Sequence, residues 1–186
     1  MKSLARWLSI VLHPFVMVGV MVGTAASARQ TRGEALRSVA MVFLFTVVPL
    51  AVLMIRQVRR GAWENADASN RRERPMLYLV GAVALVALLA YITLFRPQSF
   101  MVRGVVATFG MLAVCAAATR WIKVSLNMAF AALAASALMG SRVGYGLALM
   151  LPPLAWARLA LSRHTILELV LGTVAGIAAG VALHYF

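Results

Sequence analysis

Charge is scarce in this chain. Only 12% of its 186 residues are charged and 63% are hydrophobic, whereas soluble domains carry about 25% charged residues. That deficit excludes an ordinary soluble domain, and the apolar excess excludes a disordered one. Acidic residues are scarcer still, five against eighteen Lys and Arg. Cysteine is nearly absent: Cys115 stands alone in an apolar run, which excludes a disulfide framework and a cysteine-based metal centre. The three histidines, His13, His164 and His184, are spread along the chain, so no metal site is expected, and no cofactor is called for. The apolar segments do not alternate with polar residues, which excludes a β-barrel.

What the chain has is long apolar runs, at 7–28, 38–55, 75–95, 104–119, 124–141, 143–157 and 169–186. Its mean hydropathy is +0.89. A membrane-spanning helix needs about 20 apolar residues, and the two shortest runs can borrow flanking arginines that snorkel to the interface. The expectation is an all-α, polytopic transmembrane bundle of seven helices, or six if the first lies in the interface, forming one integral membrane domain over 1–186. The first run is too long for a cleaved signal and is interrupted by His13-Pro14. Pro49, Pro152 and Pro153 fall inside helices and should bend them. Trp7, Trp63, Trp121 and Trp156 read as an aromatic belt. Gly172, Gly176 and Gly180 form a flat stripe for close helix approach. Intramolecular packing is its plainer use, and a homo-oligomer interface the alternative.

The net charge of +13 would point to nucleic acid in a soluble protein. Here the basic residues punctuate apolar runs, so they report topology and lipid-headgroup contact, and no nucleic-acid partner is expected. Seven spans put the N-terminus, the polar segment 56–74, and loops 120–123 and 158–168 on one face. That face holds twelve of the basic residues and the other face six; the positive-inside rule places the richer face in the cytoplasm.

The same face gathers the residues able to do chemistry. Arg158 precedes His164 by six positions, and Glu168 follows His164 by four, one helical turn. A carboxylate so placed holds one imidazole nitrogen and raises the basicity of the other. Arg158 offers a planar fork of donors to a phosphate. Arg74-Pro75 opens one helix, and Lys123, Ser125 and Asn127 open another, where unpaired backbone N–H groups favour anions. Three separated loops are expected to meet as one anion-binding mouth. The plainer reading of His164 and Glu168 is an interfacial Arg/His pair with a satisfied carboxylate.

These blocks resemble the type-2 phosphatidic acid phosphatase superfamily of membrane lipid phosphatases, which shares its core with vanadium haloperoxidases. The family pattern is Lys-x6-Arg-Pro, then Pro-Ser-Gly-His, then Ser-Arg-x5-His-x3-Asp. Ala157-Arg158, His164 and Glu168 match the third block with one conservative acid exchange. Val124-Ser125-Leu126-Asn127 aligns with the second, keeping its serine. Asp67 and Arg74-Pro75 align with the first, whose lysine is missing, and Arg71 or Lys123 would supply that charge. The resemblance covers about 67–180, and His13-Pro14 also resembles some small bacterial-type members, which implies a bacterial inner membrane. It implies His164 as nucleophile through a phosphohistidine, Glu168 as its orienting carboxylate, Arg74 and Arg158 as phosphoryl ligands, and Ser125 as a further hydrogen bond.

The family's acid histidine is Asn127 here, which cannot protonate a leaving group near neutral pH. The expected partners are therefore membrane lipids bearing a phosphate or prenyl diphosphate, with lipid diphosphates favoured. Two alternatives stand beside this: a catalytically impaired relative that binds phospholipid as a transport or scaffold component, and a small transporter using Glu168 for proton coupling. His13 reads as a kink-associated core histidine before a catalytic one, and His184 as an interfacial residue on the opposite face.

Overall fold

Proline and short capping side chains divide the chain into helices. The computed structural model describes residues 2–63 and 70–185. Among them the fold is all-helical, with no strands. We number the helices α1 (Lys2–Val11), α2 (Pro14–Ser27), α3 (Arg32–Arg59), α4 (Arg74–Phe95), α5 (Ser99–Ala118), α6 (Leu126–Ala137), α7 (Arg142–Ala160) and α8 (Ile166–Tyr185). Pro14 has no N–H and disfavours helical backbone before it. His13 is accordingly extended, and α1 and α2 meet at 42°. Thr31 and Glu34 start α3 with a reciprocal capping box. The expected bend at Pro49 takes a particular form: one π turn, Phe43–Val47, in which the Val48 N–H reaches back to the Phe43 carbonyl. The extra residue absorbs the mismatch that a proline introduces into the ladder. Asn70 and Glu73 cap a short 3₁₀ turn, after which Pro75 stands in the first turn of α4, where its missing N–H is harmless.

Among the described residues, five helices are long and apolar enough to cross a membrane, or six if the bent pair α1–α2 is one span. The expected span over 124–141 is therefore corrected. It yields only the twelve-residue α6, about 18 Å long, and Gly140, at positive φ, turns the chain into α7. Residues 127–129 and 131–136 are all buried. A helix apolar all round is a core helix, and α6 is the central post of the bundle, packed against α2, α7 and α8.

The glycine stripe explains the tightest of these contacts. Gly172, Gly176 and Gly180 face, in order, Ser125 with Met128, Ala129 with Ala132, and Leu133 with Ser136. So α6 and α8 run parallel, with backbone against backbone, and the stripe packs within the chain. A Cβ at Gly176 would overlap the Ala129 carbonyl. At the far end His184 Nε2 lies 2.9 Å from the Ser136 carbonyl. Outside, Leu79, Val83, Leu94, Phe95 and Leu149 are exposed, as on a surface solvated by hydrocarbon rather than water. Trp63 departs from the aromatic-belt expectation: it is 5% exposed and packs with Met54, Phe15 and Leu77.

Candidate functional site

Between α7 and α8 the chain reverses in five residues. The Ser162 N–H bonds the Leu159 carbonyl and the Arg163 N–H the Arg158 carbonyl, with Ser162 in left-handed conformation, the pattern of a Schellman motif. Thr165 then starts α8. Its hydroxyl accepts the Glu168 N–H at 3.4 Å, while its own N–H donates to Glu168 Oε2 at 3.1 Å, which is a capping box. His164 is the residue between these two motifs. The carboxylate oxygen that completes the box also lies 2.8 Å from His164 Nδ1. The start of the helix thus fixes the carboxylate, and the carboxylate fixes the ring. With Nδ1–H donated to Glu168, the lone pair sits on Nε2.

Cations surround this pair. Arg74, the first residue of α4, and Arg158, in the last turn of α7, are each 2% exposed. Lys123 Nζ donates to the Arg163 carbonyl at 2.8 Å. Burial and the charges of Arg158, Lys123, Arg74 and Arg163 hold the His164 imidazole far below its ordinary pKa, so it is neutral. Burial is also the main reason that the Lys123 ammonium is pushed down, with Glu168 opposing and the neighbouring arginines reinforcing the shift. A neutral imidazole with an available Nε2 lone pair is the form a nucleophile needs.

The structure brings the three loops together at one peptide unit. Arg74 donates to the Val124 carbonyl, and the Ser125 N–H of the same peptide donates to the Glu168 carbonyl at 3.0 Å. Arg74, Lys123, Ser125, Arg158, His164 and Glu168 therefore share one end of the bundle. Ser125 occupies the N-cap position of α6 yet makes no cap bond. Its hydroxyl is fully buried and has no partner among the described residues. The Asn127 amide nitrogen, two residues further along, is likewise buried and has no partner among the described residues. Buried polar atoms are ordinarily satisfied, and an exception marks a site. Arg71 donates to the backbone carbonyls of Arg120 and Trp121, on the loop that leads to Lys123. Asp67 lies outside the described residues.

Behind Asn127 runs an apolar cavity of about 420 Å³, within the range of small-molecule sites. Its walls come from α2 to α6 and the end of α8, with His13, Tyr78 and Asn127 among the residues at the starts of α2, α4 and α6, and Arg29, Arg103 and His184 also lining it. Two features lie outside the motifs legible in the sequence blocks. Thr165, three positions before Glu168, carries a capping-box signal that was available from spacing. The exposure of His13 to a cavity shared with Asn127 had no local signal. Among the described residues, no three His, Cys, Asp or Glu side chains gather as a metal site. No family model, curated protein or solved structure matches the chain.

Proposed function

We propose that the chain is an integral membrane lipid phosphatase of the type-2 phosphatidic acid phosphatase kind, residing in a bacterial inner membrane and hydrolysing a lipid phosphate or prenyl diphosphate. The observation that carries this reading is the shared Val124–Ser125 peptide. It ties the Arg74 guanidinium to the helix start whose Glu168 carboxylate lies 2.8 Å from His164 Nδ1, an arrangement that supports a phosphate site next to an oriented imidazole.

In this mechanism Arg74 and Arg158 bind the phosphoryl oxygens, Lys123 adds charge, and the unpartnered Ser125 hydroxyl donates to a third oxygen. His164 Nε2 attacks phosphorus in line while Glu168 stabilises the cation forming on the ring. The bond from phosphorus to the leaving oxygen breaks, and water later cleaves the phosphohistidine. The apolar cavity behind Asn127 suits a hydrocarbon chain.

Asn127 decides which leaving group suits the site. An alkoxide leaving from a monoester needs a proton, and general acids contribute about 10²–10⁴-fold. A phosphate leaving from a diphosphate needs none. Lipid diphosphates are therefore the favoured substrates. Purified protein in detergent should release phosphate from a prenyl diphosphate faster than from phosphatidate, with inhibition by vanadate and loss of release in His164→Ala. Faster hydrolysis of phosphatidate would overturn the preference, and release unaffected by His164→Ala would overturn the nucleophile.

The loss of an acid at position 127 also favours a second reading, a relative that binds phospholipid without turnover. It predicts that lipid affinity survives His164→Ala and is lost in Arg74→Ala or Arg158→Ala.

A further inference from the structure

Arg29 stands just past the end of α2, and Arg103 in the second turn of α5. Two contacts bring these helix ends together. Gln30 Nε2 donates to Gln98 Oε1 at 2.6 Å, and the Arg29 guanidinium carbon lies 5.6 Å from the centre of the Phe100 ring. Phe100 and Arg103 are three apart on α5, so they share a helix face. The Ser38 hydroxyl donates to Gln30 Oε1 at 3.0 Å, which ties α3 to the same corner. Both arginines line the apolar cavity. From Arg103 to Ala118, where α5 gives way to the loop that carries Lys123, is about 22 Å of helix. This corner therefore lies at the opposite end of the bundle from His164.

Both arginines have donors to give. Arg29 spends one guanidinium N–H on the Ala25 carbonyl at 3.1 Å, and its contact with Phe100 consumes none of the others. Arg103 is exposed and makes no hydrogen bond or ion pair among the described residues. No carboxylate lines the cavity. Glu34, in the first turn of α3, spends its carboxylate on the Thr31 N–H and hydroxyl. Val18 and Val22 of α2 and Val105 and Leu112 of α5 line the apolar space itself. Two cations on the rim of a hydrocarbon space match an amphiphile with an anionic head and an apolar tail.

We propose that Arg29 and Arg103 bind the phosphodiester head of an anionic bilayer phospholipid, in the leaflet opposite the His164 end, with one acyl chain seated in the cavity. The site makes and breaks no covalent bond, and the assignment does not rest on the hydrolase reading. Guanidinium groups from two different helices converge on the phosphate oxygens, and charge-assisted bonds of this kind are stronger than neutral ones. A zwitterionic lipid carries its own cation beside the phosphate, so a rim with two guanidinium groups favours a head of net negative charge. The chain of this lipid and the chain of a substrate draw on the same apolar space, so each limits the length that the other can seat.

The test titrates the full-length protein in a neutral detergent with dioleoyl phosphatidylglycerol. Bound lipid is counted by native mass spectrometry, and Tm is read in parallel. Wild type should retain the lipid and gain Tm, and should bind dioleoyl phosphatidylcholine at least about tenfold more weakly. Arg103→Gln removes a side chain without an ion pair in the described protein, so the fold should be kept. Its Kd for phosphatidylglycerol should rise at least about tenfold, the effect of losing one charge-assisted hydrogen bond. Arg29→Gln should do the same. Arg142→Gln is the control, an exposed arginine that does not line the cavity, and should leave Kd unchanged. Equal losses in Arg142→Gln and Arg103→Gln, or no loss in either Arg103→Gln or Arg29→Gln, overturn the site. A wild type that retains no phosphatidylglycerol overturns it as well. Inorganic phosphate is the last arm: if it raises Tm as far as the lipid does, and Arg103→Gln abolishes that rise, the corner binds a free anion and the lipid assignment is overturned.

Discussion

Arg74 and Glu168 lie on opposite sides of one peptide bond: the guanidinium donates to the Val124 carbonyl, and the Glu168 carbonyl accepts the Ser125 N–H. Arg74 opens α4 and Glu168 stands in the first turn of α8, so the peptide that leads into α6 ties three helix starts together. Helix ends are firmer mounts for a site than long loops.

Arg74→Lys should show how much of the site depends on that tie. A lysine keeps the charge but loses the planar fork that can hold the Val124 carbonyl and, on the proposed reading, a phosphate at once. The buried Val124 carbonyl would lose its donor, a change that costs about 1–3 kcal/mol. We expect a lower Tm and kcat/KM on a prenyl diphosphate reduced by at least about tenfold, the effect of losing some 1.4 kcal/mol of transition-state binding. Unchanged kinetics would remove Arg74 from the phosphate-binding set.

Acid should destabilise the fold through His164. Its pKa is lowered from 6.5 to about 2 by burial, then by Arg158, Lys123, Arg74 and Arg163. Below about pH 6.5 the unfolded chain takes up a proton that the folded chain refuses, so stability rises with pH and is lost as pH falls from about 6.5 toward about 2. At pH 5 the loss is about 2 kcal/mol relative to neutral pH. Tm measured in detergent from pH 7 to pH 5 should fall more steeply for wild type than for His164→Gln. Parallel curves would mean that the imidazole is not held neutral.

Gly176→Ala should separate α6 from α8. The added methyl meets the Ala129 carbonyl and the Leu133 amide, backbone that has no room to move. Overpacking of this kind costs about 1–3 kcal/mol or more, and displacing α6 also displaces Ser125 and Asn127. Tm and turnover should fall together. Gly146→Ala is the control: its Cβ would meet nothing within 4 Å, and replacing an open helical glycine stabilises by about 0.5–1 kcal/mol. A larger loss at Gly146 than at Gly176 would contradict the packing described.

The pattern of residues carried the site further than it carried the bundle. Pro75, Ser125 and the Thr165-x-x-Glu168 box each mark where a helix starts, and helix starts are set by local chemistry. Placing Arg74, Ser125 and His164 on one face needed only the order of the helices between them. The depth of α6 was not available in that way. Its run is as apolar as its neighbours, and only its many alanines and the Gly172–Gly180 stripe hint that it lies in the core. Trp63 misled because a ring in a polar segment reads as interfacial, whereas Met54, Phe15 and Leu77 bury it. Arg71 offers only its charge to a sequence reading; its carbonyl partners on residues 120 and 121 come from tertiary structure.

Asn127→His bears most directly on the chemistry. The side chain lines a cavity of about 420 Å³, so an imidazole has space to extend where the amide stops. On the proposed hydrolase reading, a histidine at that position would stand beside the oxygen that leaves, and its proton would neutralise an alkoxide as it forms. General acid catalysis contributes about 10²–10⁴-fold, and its benefit falls on the more basic leaving group. Phosphatidate hydrolysis should therefore rise by about 10²-fold, while prenyl diphosphate hydrolysis changes far less, which narrows or reverses the wild-type preference. The rise should follow a bell-shaped pH dependence with a new alkaline limb, because the added group must be protonated to act. The same substitution in His164→Ala should give nothing, since an acid without a nucleophile completes no step. Activity gained equally on both substrates would mean that position 127 shapes the cavity rather than serving the leaving group.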